Sequence, residues 1–140
     1  MNKLLMRTAS AFNTWVYRVS DGRFGARFAG GAPVCLLTTQ GRKSGRQRTV
    51  PLLYLADGDD LVVVASQGGA PVHPGWYFNL IAAPTAEAQV GRRRFAVAAR
   101  TVGAEERAAL WQRMVAIYPP YEAYQRRTTR AIPVVRLSPA

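Results

Sequence analysis

Apolar side chains recur first at helical spacing and then at strand spacing along this chain. Leu5, Ala9, Phe12, Val16 and Val19 repeat every three or four residues, with Lys3, Arg7, Asn13 and Arg18 on other faces, which predicts an amphipathic helix over 2–19 closed by Asp21-Gly22. Residues 25–33 are rich in glycine and alanine and read as a connector. β-Branched and apolar runs then predict strands over 33–39, 46–55 and 60–66, the last two joined by the turn Ala56-Asp57-Gly58-Asp59. A short helix follows over 73–82, with Pro74 in its first turn and Pro84 as its stop. Residues 85–90 and 95–102 form a hairpin about Gly91-Arg92-Arg93-Arg94. Glu105 and Glu106 open a helix over 104–117 whose stripe is Arg107, Trp111, Met114, Val115 and Tyr118. Pro119-Pro120 breaks it, a shorter helix runs through Tyr121 and Tyr124, and 132–137 is a last strand. Six strands with few helices predict a mainly β (α+β) domain, a closed or half-closed barrel.

Composition narrows this picture. With 140 residues and 49% hydrophobic content the chain supports one domain with a real core, 1–140, divided into the N-terminal helix over 1–22 and a barrel over 33–138. Cys35 is the single cysteine, so no intramolecular disulfide forms and a reducing cytosol is expected. No apolar stretch reaches bilayer-spanning length and no signal-peptide pattern precedes the domain, which predicts a cytoplasmic protein. The basic first helix, with Trp15 and Tyr17, either docks on a membrane surface or packs on its own domain.

The formal net charge is +11, from 19 Lys plus Arg against 8 Asp plus Glu. Such a surplus suits a polyanion or a small acidic ligand. Nucleic acid is not the expected partner, because no recognition helix, zinc-finger spacing or basic strand with exposed aromatics is present. One His and one Cys supply too few soft ligands for a metal site.

The charge concentrates over 38–54. Arg42, Lys43, Arg46 and Arg48, two glycines (Gly41, Gly45) and the hydroxyls of Thr38, Thr39 and Ser44 lie between apolar runs. This is either an anion cradle or a solvated hairpin tip. It is not a Walker loop, since Arg48 to Tyr54 reads as a strand rather than a helix. Ser66-Gln67-Gly68-Gly69-Ala70-Pro71 is a second candidate, where a flat ligand could approach bare backbone; the alternative is a flexible loop. His73 reads as a turn or helix-cap residue beside Pro74. Tyr118, Tyr121 and Tyr124 form either the aromatic wall of a pocket or a core stripe.

In succession these pieces resemble the deazaflavin-dependent nitroreductase and quinone reductase family of actinobacteria. The motifs are Leu-Thr-Thr-x-Gly-Arg-Lys-Ser-Gly-x-x-Arg-Thr-Val-Pro-Leu (37–52), Val-Val-Val-Ala-Ser-x-Gly-Gly-Ala-Pro (62–71), His-Pro-x-Trp-Tyr-x-Asn-Leu (73–80) and Tyr-Pro-Pro-Tyr-x-x-Tyr-Gln (118–125). The resemblance implies a split β-barrel of the FMN-binding split-barrel type that binds coenzyme F-420, an 8-hydroxy-5-deazaflavin. It implies that Arg42, Lys43, Ser44 and Arg48 hold the coenzyme's phosphate and acidic tail. Pro51, Ser66, Gly68, Gly69, Ala70, Pro74, Trp76 and Asn79 would line its ring and side chain. Tyr118, Tyr121 and Tyr124 would shape the substrate side, with Ser66 and Tyr121 orienting the acceptor. The implied reaction is hydride transfer from reduced F-420 to a quinone, a nitroaromatic or nitroimidazole, or an activated alkene. Two departures stand out, Gln40 at a position expected to be small or hydroxylic and Gln67 where a Lys is often found. Competing classes are a non-catalytic barrel that carries a deazaflavin, flavin mononucleotide or a lipid, and a basic nucleic-acid or membrane-surface binder. A monomer and a homodimer are equally compatible with the sequence.

Overall fold

The structure, a computed structural model, describes residues 32–140. The amphipathic helix expected over 1–22 and most of the connector lie outside the described residues. Seven strands are present: β1 Val34–Gln40, β2 Gln47–Leu53, β3 Leu55–Asp57, β4 Asp60–Val64, β5 Thr85–Val90, β6 Arg93–Thr101 and β7 Val134–Pro139. Three helices join them, α1 Gly75–Ala82, α2 Ala104–Ile117 and α3 Pro120–Arg126.

All strands belong to one antiparallel sheet in the order β2-β1-β5-β6-β7-β4-β3. β2 and β3 occupy its two edges, yet only Tyr54 separates them in sequence, so the sheet must curl until its edges meet. At that seam the Tyr54 N–H donates to the Pro33 carbonyl at 3.1 Å. The expected half-closed barrel is therefore present, with one strand more than expected. The single strand read over 46–55 is two, because the chain changes partner at the seam: Leu53 lies opposite Val34, whereas Leu55 lies opposite Val62. Pro51 fits β2 because an edge strand can spare one N–H.

The curl creates two cores. Inside, Cys35, Leu37, Leu61, Val63, Val135 and Leu137 pack with Trp76, Tyr77 and Leu80 of α1. On the outer face, Val62, Val64 and Val134 lie under Leu110, Trp111 and Met114 of α2 and Tyr121 of α3. Strands with apolar residues on both faces read as unbroken hydrophobic runs, which explains Val34 to Leu37, all at most 3% exposed. Helix α2 is also tied electrostatically. Arg136 of β7 pairs with Asp57 and Asp60 at 2.9 Å and with Glu106 at 2.8 Å, and Arg100 and Arg113 extend the network.

Element ends shift where backbone pairing decides them. Arg93 and Arg94 start β6 opposite Val90 and Gln89, leaving Gly91-Arg92 as the hairpin turn. Pro74 precedes α1 as its N-cap rather than lying in its first turn. The last strand begins at Val134, and β4 ends at Val64, which places Ser66 in a loop.

Candidate coenzyme site

The cationic loop between β1 and β2 closes on itself. The Gly41 N–H donates to the Arg46 carbonyl at 2.7 Å, the Gly45 N–H to the Gly41 carbonyl at 2.8 Å, and the Arg46 N–H to Ser44 Oγ at 3.2 Å. A Cβ on Gly41 would stand 2.8 Å from Ser44 Oγ and 3.1 Å from the Arg46 carbonyl, so tight turning alone accounts for that glycine.

The loop is also fastened to α1. Arg42 donates to Asn79 Oδ1 through its backbone N–H (3.1 Å) and through Nη1 (3.2 Å), and Nη1 reaches the Gly75 carbonyl at 3.4 Å. Its guanidinium lies 5.0 Å from the Phe78 ring centroid. Asn79, buried, passes the bond on from Nδ2 to Thr39 Oγ1 at 3.0 Å. Arg42 and Asn79, both expected to contact coenzyme, are thus engaged with one another and hold the loop in place. Lys43, Arg46 and Arg48 are exposed, and among the described residues no carboxylate pairs with any of them. Arg46, which the family motif leaves out, belongs with Lys43 and Arg48 on geometry.

Strand register sorts the remaining members. Residues opposite one another across antiparallel strands point to the same face. Arg48 lies opposite Thr39, on the face that carries Asn79, whereas Pro51 lies opposite Leu36 on the other face. Arg48 and Pro51 therefore face opposite sides of the sheet. Trp76 (7% exposed) and Pro74 are buried, and Trp76 packs in the inner core.

The glycine turn has a different construction. Gln67, Gly68 and Gly69 form a tight left-handed turn with positive φ at all three, 46°, 64° and 80°. The Gly69 N–H is spent inside the turn on the Ser66 carbonyl at 2.9 Å. A Cβ on Gly69 would meet the Tyr124 carbonyl at 2.5 Å and Tyr124 Cα at 2.9 Å, so this glycine lets α3 approach. Gly68 differs: nothing lies within 4 Å of where its Cβ would stand. Bare backbone is thus offered to a ligand at Gly68 and not at Gly69.

Arg130 is the residue that sequence reading missed here. Nε donates to the Ala70 carbonyl at 2.8 Å, Nη2 to the Ser66 carbonyl at 2.7 Å, and Nη1 to the Ala65 carbonyl at 3.2 Å. Nη1 also lies 2.8 Å from His73 Nδ1. Arginine can only donate, so Nδ1 accepts and the ring proton of neutral His73 sits on Nε2. Burial, and then the Arg130 charge, hold the His73 pKa below its ordinary value. The His73 ring stands edge-on to Tyr77 and Phe78, at 4.9 and 5.6 Å. Phe78 thereby touches Arg42 of one loop and His73 of the other. No local motif marks Arg130; its partners are 57 to 65 residues away.

The tyrosines lie beside this turn on α3 and just before it. Tyr118 and Tyr124 share a hydroxyl contact of 3.0 Å, and burial followed by that contact pushes the Tyr118 pKa up to about 12. Tyr121 is 4% exposed, its ring between Trp111, Tyr118 and Tyr124, and burial pushes its pKa up strongly. Its ring is outer-core material, and its hydroxyl makes no hydrogen bond among the described residues. Tyr118 and Tyr121 are therefore neutral phenols at physiological pH. A separate crevice of about 50 Å³, lined by Tyr77, Leu80, Ile81 and Thr101 among others, includes none of the expected site residues and is too small for a flavin-sized ring. Among the described residues no cluster could hold a metal ion.

A curled antiparallel half-barrel with a cationic β1–β2 loop and a glycine turn packed against a tyrosine-bearing helix places the chain in the split-barrel class. The chain belongs to the F-420H(2)-dependent quinone reductase family, whose sequence profile matches residues 9–139. A Mycobacterium tuberculosis protein named F-420H(2)-dependent quinone reductase is 45% identical over 126 residues, covering 88% of this chain and 85% of the relative. A solved F-420-H2-dependent reductase is 44% identical with a TM-score of 0.70, covering 76% of this chain and 94% of that one. A second solved structure, described as a domain-swapped dimer, is 38% identical with a TM-score of 0.73, covering 91% of this chain and 96% of that one. More distant structures, such as a haem storage protein from Vibrio cholerae at 15% identity and a TM-score of 0.59, share the fold alone.

Proposed function

We propose that this chain binds coenzyme F-420 across the cationic loop and the glycine turn and catalyses two-electron reduction of a quinone. The observation that carries the reading is the division of labour in the cationic loop. Arg42 and Asn79 hold the loop, leaving Lys43, Arg46 and Arg48 exposed and unpaired among the described residues for a ligand's phosphate and carboxylates. The residues present fit the coenzyme: a flat ring finds open backbone at Gly68, and a long acidic tail finds three cations. Reduced F-420, when bound, supplies a hydride from its C5 carbon.

The remaining work belongs to the chain. Ser66, at the start of the loop that leaves β4, hydrogen-bonds the polar edge of the ring or acceptor. The Tyr121 hydroxyl, a phenol at neutral pH, donates to the acceptor oxygen on which negative charge develops. Tyr118 and Tyr124 bound the acceptor through their joined hydroxyls. A quinone gains the hydride and one proton to become the hydroquinone, and that proton comes from water. Nitroaromatics and nitroimidazoles are secondary acceptors by the same two-electron route. For a lipid-borne quinone, the basic amphipathic segment over 1–22 supplies the membrane contact.

The test is a fluorescence titration with oxidised F-420, with flavin mononucleotide as control, followed by turnover of quinones and nitro compounds with the reduced coenzyme. Binding of F-420 with quinone turnover is expected. Binding without turnover would establish a carrier, and preference for the flavin would overturn the coenzyme assignment. Affinity for nucleic acid with steep salt dependence and none for F-420 would point to diffuse cationic binding instead.

A further inference from the structure

We propose that Arg130 is the positioning residue of the coenzyme-ring loop, fixing residues 65–73 through four simultaneous acceptors so that Ser66 and Gly68 are presented to the ring. The inference rests on the reading that the 66–70 turn meets the coenzyme ring.

Four bonds from one guanidinium, to Ala65, Ser66, Ala70 and His73, tie together both ends of the loop, whereas its own backbone bonds, Gly69 N–H to Ser66 and Ala70 N–H to Gln67, close only the turn between them. Three consecutive residues of that loop lie at positive φ, a conformation that isolated Gln67 would rarely adopt. The surroundings must impose it. The three backbone acceptors require donors in a planar fork, which guanidinium provides and ammonium does not. The fourth partner extends the clamp into α1, since His73 stands against Tyr77 and Phe78 at its start. Arg127 adds one weaker tie, from Nη1 to the Gly68 carbonyl at 3.3 Å. Arg130 touches neither coenzyme nor acceptor in this scheme; it acts through the loop.

His73 is the only histidine, so its ring nitrogens can be read by 15N NMR without assignment. The native protein should show one neutral tautomer, protonated at Nε2. A proton on Nδ1 would overturn the proposal, and this measurement needs no variant. Arg130→Lys keeps the charge and loses the fork. We expect it to raise the F-420 dissociation constant and coenzyme KM about tenfold, as expected for loss of one to two charge-assisted bonds in the loop. It should also turn His73 into a tautomer mixture. Lowered thermal stability with coenzyme KM within twofold of the parent would mark Arg130 as merely structural and overturn the inference. Ser66→Ala separates the two levels. If Ser66→Ala weakens F-420 binding and Arg130→Lys does not, the positioning role fails alone; if neither changes it, the assignment of the turn to the coenzyme ring fails as well.

Discussion

Gly69→Ala and Gly68→Ala form a matched pair, because the two residues are neighbours, share positive φ (80° and 64°) and differ in what surrounds them. Placing an L side chain in the left-handed region costs roughly 1–2 kcal/mol, and this applies to both. Gly68→Ala adds nothing else, since no atom lies within 4 Å of the new Cβ. At Gly69 the Cβ would stand 2.5 Å from the Tyr124 carbonyl oxygen and 2.9 Å from Tyr124 Cα, which are backbone atoms and cannot rotate away. Helix α3 must then shift, and overpacking of this kind adds roughly 1–3 kcal/mol. The expected loss is therefore ~1–2 kcal/mol for Gly68→Ala and ~2–5 kcal/mol for Gly69→Ala. At about 4 °C per kcal/mol for a chain of this size, Tm falls by ~4–8 °C in the first and ~8–20 °C in the second. Urea unfolding followed by tryptophan fluorescence measures both, and acceptor KM should rise in Gly69→Ala because Tyr124 moves with α3. Equal destabilisation of the two variants, within about 0.5 kcal/mol, would refute the claim that the turn carries the weight of α3.

Further outcomes concern the site itself. Arg48→Ala should weaken F-420 binding by ~1.5–3 kcal/mol, ~10- to 150-fold in dissociation constant, read by fluorescence titration; unchanged affinity would place the anion elsewhere. Tyr121→Phe should slow acceptor turnover while coenzyme binding stays nearly intact, and unaltered steady-state kinetics would remove Tyr121 from the chemistry. His73 has a folded pKa below its ordinary ~6.5, so just below that pH the unfolded chain takes up a proton that the folded chain does not. Stability should accordingly be complete above about pH 6.5 and decline as the pH falls toward the folded value; a His73→Gln variant should lack that decline, and a urea midpoint that does not differ between the two from pH 8 to 5 would contradict the assignment.

Much was written locally. The helix over 104–117 follows from a 3.6-residue apolar stripe opened by two glutamates, and its bounds coincide with Ala104–Ile117 of the structure. Alternation and turn chemistry placed the strands to within a few residues, and the cluster Arg42 to Arg48 marked the cationic loop without any tertiary information. These features depend on neighbours a few positions away, which the order of residues states outright. Tertiary structure alone decided the rest. The break at Tyr54 arises because a curled sheet changes strand partners at its seam. Asn79 binds Arg42 across 37 residues, and Arg130 holds carbonyls 60 to 65 residues distant. Gly69 is a glycine for the sake of α3, and Tyr121 has its ring in the outer core while its hydroxyl is left unbonded among the described residues. Each of these depends on which distant segments the curled sheet brings into contact, and residue periodicity carries no record of that.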